Sequence, residues 1–407
     1  MRLTLNEVKK RIDKMIPKGL DYDIDVEAGS IAIITHTPQE FGKGGGESLT
    51  VKIAKSIKRR VVIRPHMDLL LSEDEVEQKI METIPNEAMV RNIFIDPALS
   101  EVTIECDDPS TAVGHKGSII QSLRDEIGWL VNVTRAPAFE SRTQHDIRRY
   151  RREMADDRRG LLRKFGTRIY RPKRPGQPWA RITALGSYRE VGRAMHLVTT
   201  NESKVLVDVG AKPTVNKNEI QPFFNAPELL PLDNIDAVVL THAHVDHIAM
   251  LPVLFRYGYR GPVYCTPPTR DLMTLLQIDY IKVAQAEGTD PPYSKADIQE
   301  CIKHVVDIGY GEKTDIAPDI KISMENAGHI LGSSSVYMQI GEGSHEHRLL
   351  FSGDIKYEKS WLFDAAAVRF PKADTLVIES TYGGPQDFQP NRTDATHEIQ
   401  DLSLIHI

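Results

Sequence analysis

Cysteine is scarce in this chain: Cys106, Cys265 and Cys301 are scattered and odd in number. That excludes a disulfide framework and fits a reducing, cytoplasmic compartment, with each cysteine acting as a small apolar residue. Long apolar runs are also missing. None approaches the roughly 18 residues needed to cross a bilayer, so no membrane association is expected. Residues 1–10 alternate charge with single apolar side chains, so a secretory leader is not expected either. Nor is there an excess of positive charge; the net charge of −6 taken alone argues against a nucleic-acid binder. What is present is ordinary for a globular protein: 41% hydrophobic and 27% charged residues over 407 positions, enough for two to four domains.

Charge distribution changes the picture. Residues 141–175 hold eleven Arg and two Lys against Asp146, Glu153, Asp156 and Asp157. Such a stretch reads as a phosphate-facing stripe where nucleic acid is bound.

An internal repeat opens the chain. A helix over 5–16 ends at Pro17, strands follow at 22–27 and 30–36 around Ala28-Gly29, and a Pro38-led segment reaches Gly42-Lys43-Gly44-Gly45. A helix over 48–58 and a strand over 60–64 complete the unit. The order recurs with helix 73–84, strands 90–96 and 101–107, a segment led by Pro109, then Gly114-His115-Lys116-Gly117, helix 118–127 and strand 129–134.

This α-β-β-α-GxxG-α-β order resembles the type II KH fold. The resemblance implies a Gly-x-x-Gly turn that brings backbone amides close to a sugar-phosphate chain, with single-stranded bases in the adjoining groove. Gly114, His115, Lys116 and Gly117 are the expected RNA contacts. The extra glycine in the first copy leaves it as either a second RNA contact or a scaffold. Prolines at 172, 175 and 178 then mark a boundary.

Beyond it, an aliphatic strand over 235–240 leads into Thr241-His242-Ala243-His244-Val245-Asp246-His247, and apolar residues at helical spacing follow. His242 and His244, two apart in extended chain, project to one side and can share a metal; Asp246 and His247 open a helix and face a second position. Imidazole and carboxylate donors suit Zn²⁺, with Mn²⁺ or Fe²⁺ left open by ligand type. His36, His66, His145, His196, His304, His345 and His347 lack partners at ligand spacing and are read as surface or packing residues.

The motif resembles the metallo-β-lactamase superfamily signature His-x-His-x-Asp-His. That likeness implies further roles in chain order. Asp208 would orient a ligand histidine, His329 would complete the first metal's histidine trio, and Asp354 would bridge two zinc ions. The segment Val377-Ile378-Glu379-Ser380-Thr381-Tyr382-Gly383 resembles the opening motif of the β-CASP nucleases, which implies that Glu379 sits by the metals and binds a ligand or the catalytic water. Asp246, Asp208 and Glu379 are thereby placed in the catalytic machinery.

KH repeats, a basic stretch and a β-CASP metallo-nuclease together resemble the archaeal relatives of the cleavage and polyadenylation specificity factor nuclease. The expected fold is a multidomain α/β and α+β chain: KH-like units over 1–70 and 71–136, a basic linker over 137–178, and an αββα metallo-β-lactamase sandwich over 179–382. The start of a β-CASP cap, mostly missing, would occupy 383–401. Residues 402–407 read as a sequencing-adapter artefact at a truncated end. The resemblance implies a zinc-dependent endoribonuclease, with some members degrading RNA from the 5′ end, that hydrolyses phosphodiesters through a two-metal-activated hydroxide. It would act on single-stranded 3′-end regions in RNA 3′-end formation and transcription termination, as a homodimer and in contact with the transcription machinery. The family's last metal-binding histidine and its general acid are not found in this sequence, so impaired cleavage is expected. The alternatives are a non-catalytic RNA-binding paralogue and a small-molecule metallo-hydrolase of the glyoxalase or lactamase type.

Overall fold

A computed structural model describes residues 4–42, 47–173, 179–213, 220–387 and 390–406. The glycine run at 43–46 and the proline-rich residues 174–178 therefore lie outside the described residues.

Two units of the same topology come first. In the first, α1 (Leu5–Met15) is followed by β1 (Tyr22–Glu27), β2 (Ser30–Thr35), α2 (Pro38–Gly42), α3 (Leu49–Ile57) and β3 (Arg60–Pro65). Strand β2 is central, antiparallel to β1 and parallel to β3. Helix α1 starts at a capping box in which Thr4 and Glu7 satisfy each other's backbone amides. Its Val8 and Ile12, four apart on one face, are buried with Ile31, Ile33 and Phe41. The second unit repeats the plan with α4 (Glu73–Thr83), β4 (Val90–Asp96), β5 (Glu101–Cys106), α5 (Pro109–Val113), α6 (Ser118–Ile127) and β6 (Leu130–Arg135).

The arginine-rich stretch forms two helices, α7 (Arg142–Glu153) and α8 (Ala155–Ile169). The phosphate-facing stripe expected from the sequence is not what they present. Every described arginine from Arg142 to Arg171 lies within ion-pair distance of a carboxylate. Arg163 reaches Asp25 of the first unit, Arg148 and Arg158 reach Glu105 and Asp96 of the second, and Arg151 and Arg168 reach Asp307 and Asp236 beyond them. A guanidinium buried as deeply as Arg158, 2% exposed, must face a carboxylate because an unpaired charge there is costly. The basic stretch is thus an ionic strut between the units.

The last region stacks two sheets. One has the order β12-β11-β10-β9-β8-β7, built from β7 (Ala180–Gly186), β8 (Met195–Thr200), β9 (Lys204–Val207), β10 (Ala237–Val239), β11 (Val263–Cys265) and β12 (Val305–Asp307). The other runs in chain order through β13 (Thr314–Ala317), β14 (Ile320–Asn326), β15 (Ser334–Ile340), β16 (His347–Phe351) and β17 (Thr375–Val377). Strand alternation divides the core. Val205, Val207 and Val239 pack with Ile322, Val336 and Phe351 between the sheets. Leu206 and Val238 face the other way, into a layer with α10 (Leu251–Arg256), α11 (Pro267–Ala286) and α12 (Lys295–His304). The chain therefore has the multidomain α/β and α+β architecture expected, with a two-sheet sandwich between helical layers behind two α+β units of one topology. A final helix, α13 (Arg392–His406), runs through both terminal segments distinguished in the sequence. No helix among the described residues is long and apolar enough to cross a membrane.

Candidate metal centre

Strand β10 ends at Val239, and the chain then turns outward past Leu240 and Thr241 into a short helix, α9 (Val245–Ile248). This turn is tight because Gly210 lies against it: a β-carbon at 210 would stand 1.6 Å from the Asp246 carbonyl oxygen. His242 and His244 come off the turn together, with Nε2 of the first 3.1 Å from Nδ1 of the second. His329 arrives from the loop between β14 and β15, its Nε2 3.0 Å from the same Nδ1. Asp354, just past β16, brings Oδ2 to 3.7 Å from His242 Nε2 and 3.5 Å from His329 Nε2. These four side chains form one cluster of ligand atoms.

The spacing fits a metal. Ligand atoms 2.0–2.1 Å from a tetrahedral zinc stand about 3.3 Å apart, and the four separations above bracket that figure. The other oxygen of Asp354, Oδ1, faces a second position, 3.4 Å from His247 Nε2, while Asp246 Oδ2 lies 3.7 Å from the same nitrogen. Asp354 is thus shared between two positions.

Electrostatics agree with that reading. Burial holds His242 well below the usual imidazole range, and so keeps its ring in the neutral, ligating form. Burial likewise lowers His329, against the pull of Asp354. Burial also opposes protonation of His247, but the carboxylates of Asp208 and Asp354 outweigh it and raise its pKa to about 10. The site demands positive charge, which a cation would supply.

Asp208 sits behind this cluster at φ 60°, a left-handed conformation that Asp tolerates better than most residues. Its carboxylate accepts hydrogen bonds from the Thr241 amide (2.7 Å), the Thr241 hydroxyl (2.8 Å) and His247 Nδ1 (2.8 Å). The Thr241 oxygen in turn lies 3.1 Å from His242 Nδ1. One carboxylate therefore orients both rings and leaves each Nε2 lone pair facing the cluster. Glu379 Oε1 accepts the Ile355 amide at 2.9 Å, which fixes the backbone one residue past Asp354. Its carboxylate thus holds the loop behind the cluster and lines the same pocket.

The second KH-like unit carries a separate open groove of about 670 Å³ along its Gly-x-x-Gly turn, lined by His115, Lys116 and Gly117 with Ile120, Val131 and Val133 behind them. Gly114, Lys116 and Gly117 all have positive φ, which turns the chain sharply ahead of α6.

Two features went unread in the sequence. His196 packs as expected, between Phe351 and Tyr188, but also lines the pocket that holds Asp246, His247 and Asp354, and His36 and His66, read as surface or packing residues, stack with ring centroids 4.1 Å apart beside Asp68. Both depend on strand pairings that no local motif announces.

Comparison with known proteins accords with this geometry. Residues 189–398 match the Metallo-beta-lactamase superfamily, and residues 2–70 match the KH domain of transcription termination factor FttA. Transcription termination factor FttA of Methanosarcina mazei is 40% identical over 397 residues, which are 97% of this chain and 62% of that protein. The FttA of Thermococcus kodakarensis is 42% identical over 409 residues, 99% of this chain and 62% of its own length. The chain thus spans about three fifths of the length of these curated relatives. It belongs to the metallo-beta-lactamase superfamily, and ahead of that domain its residues 2–70 match the KH domain of the transcription termination factors named FttA.

Proposed function

We propose that this chain is the RNA-binding and metal-holding part of a zinc-dependent ribonuclease that acts in the cytoplasm in RNA 3′-end formation and transcription termination. The observation that carries the reading is the convergence of His329 with His242 and with His244, 85 residues away in sequence, on one carboxylate of Asp354. His242, His244, His329 and Asp354 would hold the first zinc, and Asp246, His247 and Asp354 the second. Zinc bound there would polarise a phosphoryl oxygen and acidify a water molecule for attack on phosphorus.

The protein's own groups do the positioning. Asp208 and Thr241 keep the His242 and His247 rings in the ligating tautomer, and Glu379 anchors the backbone that presents Asp354. The Gly114–Gly117 turn offers amides and Lys116 to a single strand, whose bases enter the apolar groove beside it. Four donors face the first position and three the second, so the first ion binds more tightly. The names of the relatives support termination as the setting, and endonucleolytic cleavage with 5′-to-3′ trimming, a homodimer and contact with the transcription machinery belong to the same proposal.

The test loads the purified chain with zinc, dialyses it, and measures metal content together with binding and cleavage of a labelled single-stranded RNA against a DNA of equal sequence. Tight retention of one zinc, weaker retention of a second, and RNA preferred over DNA are expected. Zinc binding that survives His242→Ala with His329→Ala, or equal affinity for both nucleic acids, would overturn the reading.

A further inference from the structure

The loop over 187–193, between β7 and β8, forms one wall of the pocket that contains Asp208, Asp246, His247 and Asp354. Its backbone is unusual. Ser187, Arg189 and Arg193 all have φ in the left-handed region, at 70°, 61° and 43°. Three such non-glycine residues in seven are costly and persist where surrounding structure imposes them, commonly at functional sites.

What the loop presents is selective. Glu190 takes both nearby cations, Arg193 at 2.6 Å and Lys212 at 2.9 Å, and Arg193 also lies over the Phe223 ring. Arg189 stays exposed on the pocket wall with no carboxylate partner among the described residues. Beside it Tyr188, 47% exposed, is the outermost of three rings in contact: Phe351 meets His196 at 5.4 Å between centroids, and His196 meets Tyr188 at 5.3 Å. His196 is thereby the seat on which Tyr188 rests. The pocket, about 490 Å³, is within the usual range for a small ligand. Five carboxylates line it (Asp208, Asp246, Asp354 and Glu379, with Glu190 already paired to Arg193 and Lys212), so an anionic strand entering it needs a cation that is not already neutralised.

We propose that Tyr188 and Arg189 form a nucleotide subsite: the free face of Tyr188 stacks the base adjoining the reacting phosphate, and the Arg189 guanidinium grips the next phosphate. This rests on the reading of the site as a ribonuclease. Stacking tolerates any base, and the guanidinium fork suits phosphate oxygens.

The test uses the zinc-loaded full chain in a background of His115→Asp with Lys116→Asp, which removes the KH groove as a competing site. The probe is a fluorescent single-stranded RNA hexamer carrying one 4-thiouridine. Light is expected to cross-link the hexamer to the loop over 187–193. Arg189→Gly, which the left-handed φ tolerates, lowers affinity roughly tenfold and reduces the salt slope of binding by about one. Tyr188→Ala gives a similar loss, whereas Tyr188→Phe retains the affinity. Cross-linking elsewhere, or unchanged affinity and salt slope in both loss variants at unchanged zinc content, overturns the subsite alone. A background protein that holds zinc yet binds no RNA overturns the ribonuclease reading and the subsite with it.

Discussion

At Asp208 one carboxylate serves three donors, and the most direct residue-level prediction lies there. Asp208→Asn preserves shape but turns an amide NH₂ toward either Thr241 or His247 Nδ1–H, so the imidazole tautomer is no longer imposed. Zinc affinity should fall about 10- to 100-fold, as is usual when an outer partner of a ligand is lost, with the far-ultraviolet circular dichroism unchanged. Competition with a chromophoric chelator measures it; undiminished affinity would mean that Asp208 is only a turn residue. Gly210 gives a steric prediction. With the Asp246 carbonyl 1.6 Å from any added β-carbon, Gly210→Ala must displace the turn that carries the ligands, and the variant should be largely insoluble or zinc-free.

At the scale of elements, α7 and α8 decide how the units are joined. Arg151 and Arg270, both almost fully buried, share the carboxylate of Asp307 at 2.6 and 2.9 Å. Burial works against that carboxylate's charge, but Arg151 and Arg270 outweigh it and hold its pKa down to about 2. The sign follows from linkage: a folded pKa below the unfolded 3.8 gives stability that is present above pH 3.8 and lost as pH falls through about 2. Asp307→Asn leaves two guanidiniums facing a neutral amide and should cost roughly 3 kcal/mol, the scale of breaking a buried pair. Its melting temperature should depend less on pH between 4 and 2 than the wild type's, and trypsin should cut within 142–171 sooner. Equal stability and equal proteolysis would show the strut to be decorative. These pairings were not legible in the sequence. Eleven arginines in one stretch announce a charge, but Asp25, Asp96, Asp236 and Asp307 come from strands and strand ends scattered over nearly 300 residues, and only the fold brings them into reach. The two repeated N-terminal units were legible for the opposite reason, since the order of their elements is local, and in the second the Gly114–Gly117 turn lies between its own helices.

Over the whole molecule, the groove proposed for a single strand and the candidate metal centre occupy one chain. Lys116 lines the first and not the second, so on the proposed reading Lys116→Asp should weaken RNA binding while leaving zinc stoichiometry intact; loss of both would argue against two separable sites. The metal centre was legible in unequal parts. His242, His244, Asp246 and His247 stand within six positions, and their spacing alone implies shared metals. His329, Asp354 and Asp208 were readable only through family resemblance in chain order, because each is an isolated residue at the end of a different strand. Tyr188 and Arg189 carried no signal in the sequence, and His196 read only as a packing residue; the place of all three lies in a strained loop folded over the pocket and the strand behind it. The central claim is that His242, His244, His329 and Asp354 hold one zinc together. X-ray absorption at the zinc edge of the singly loaded chain tests it most directly. Three imidazole nitrogens and one carboxylate oxygen at about 2.0–2.1 Å, with one imidazole lost in His329→Ala, is the predicted result; a spectrum of fewer than two imidazoles, or one unaltered by that substitution, would contradict it.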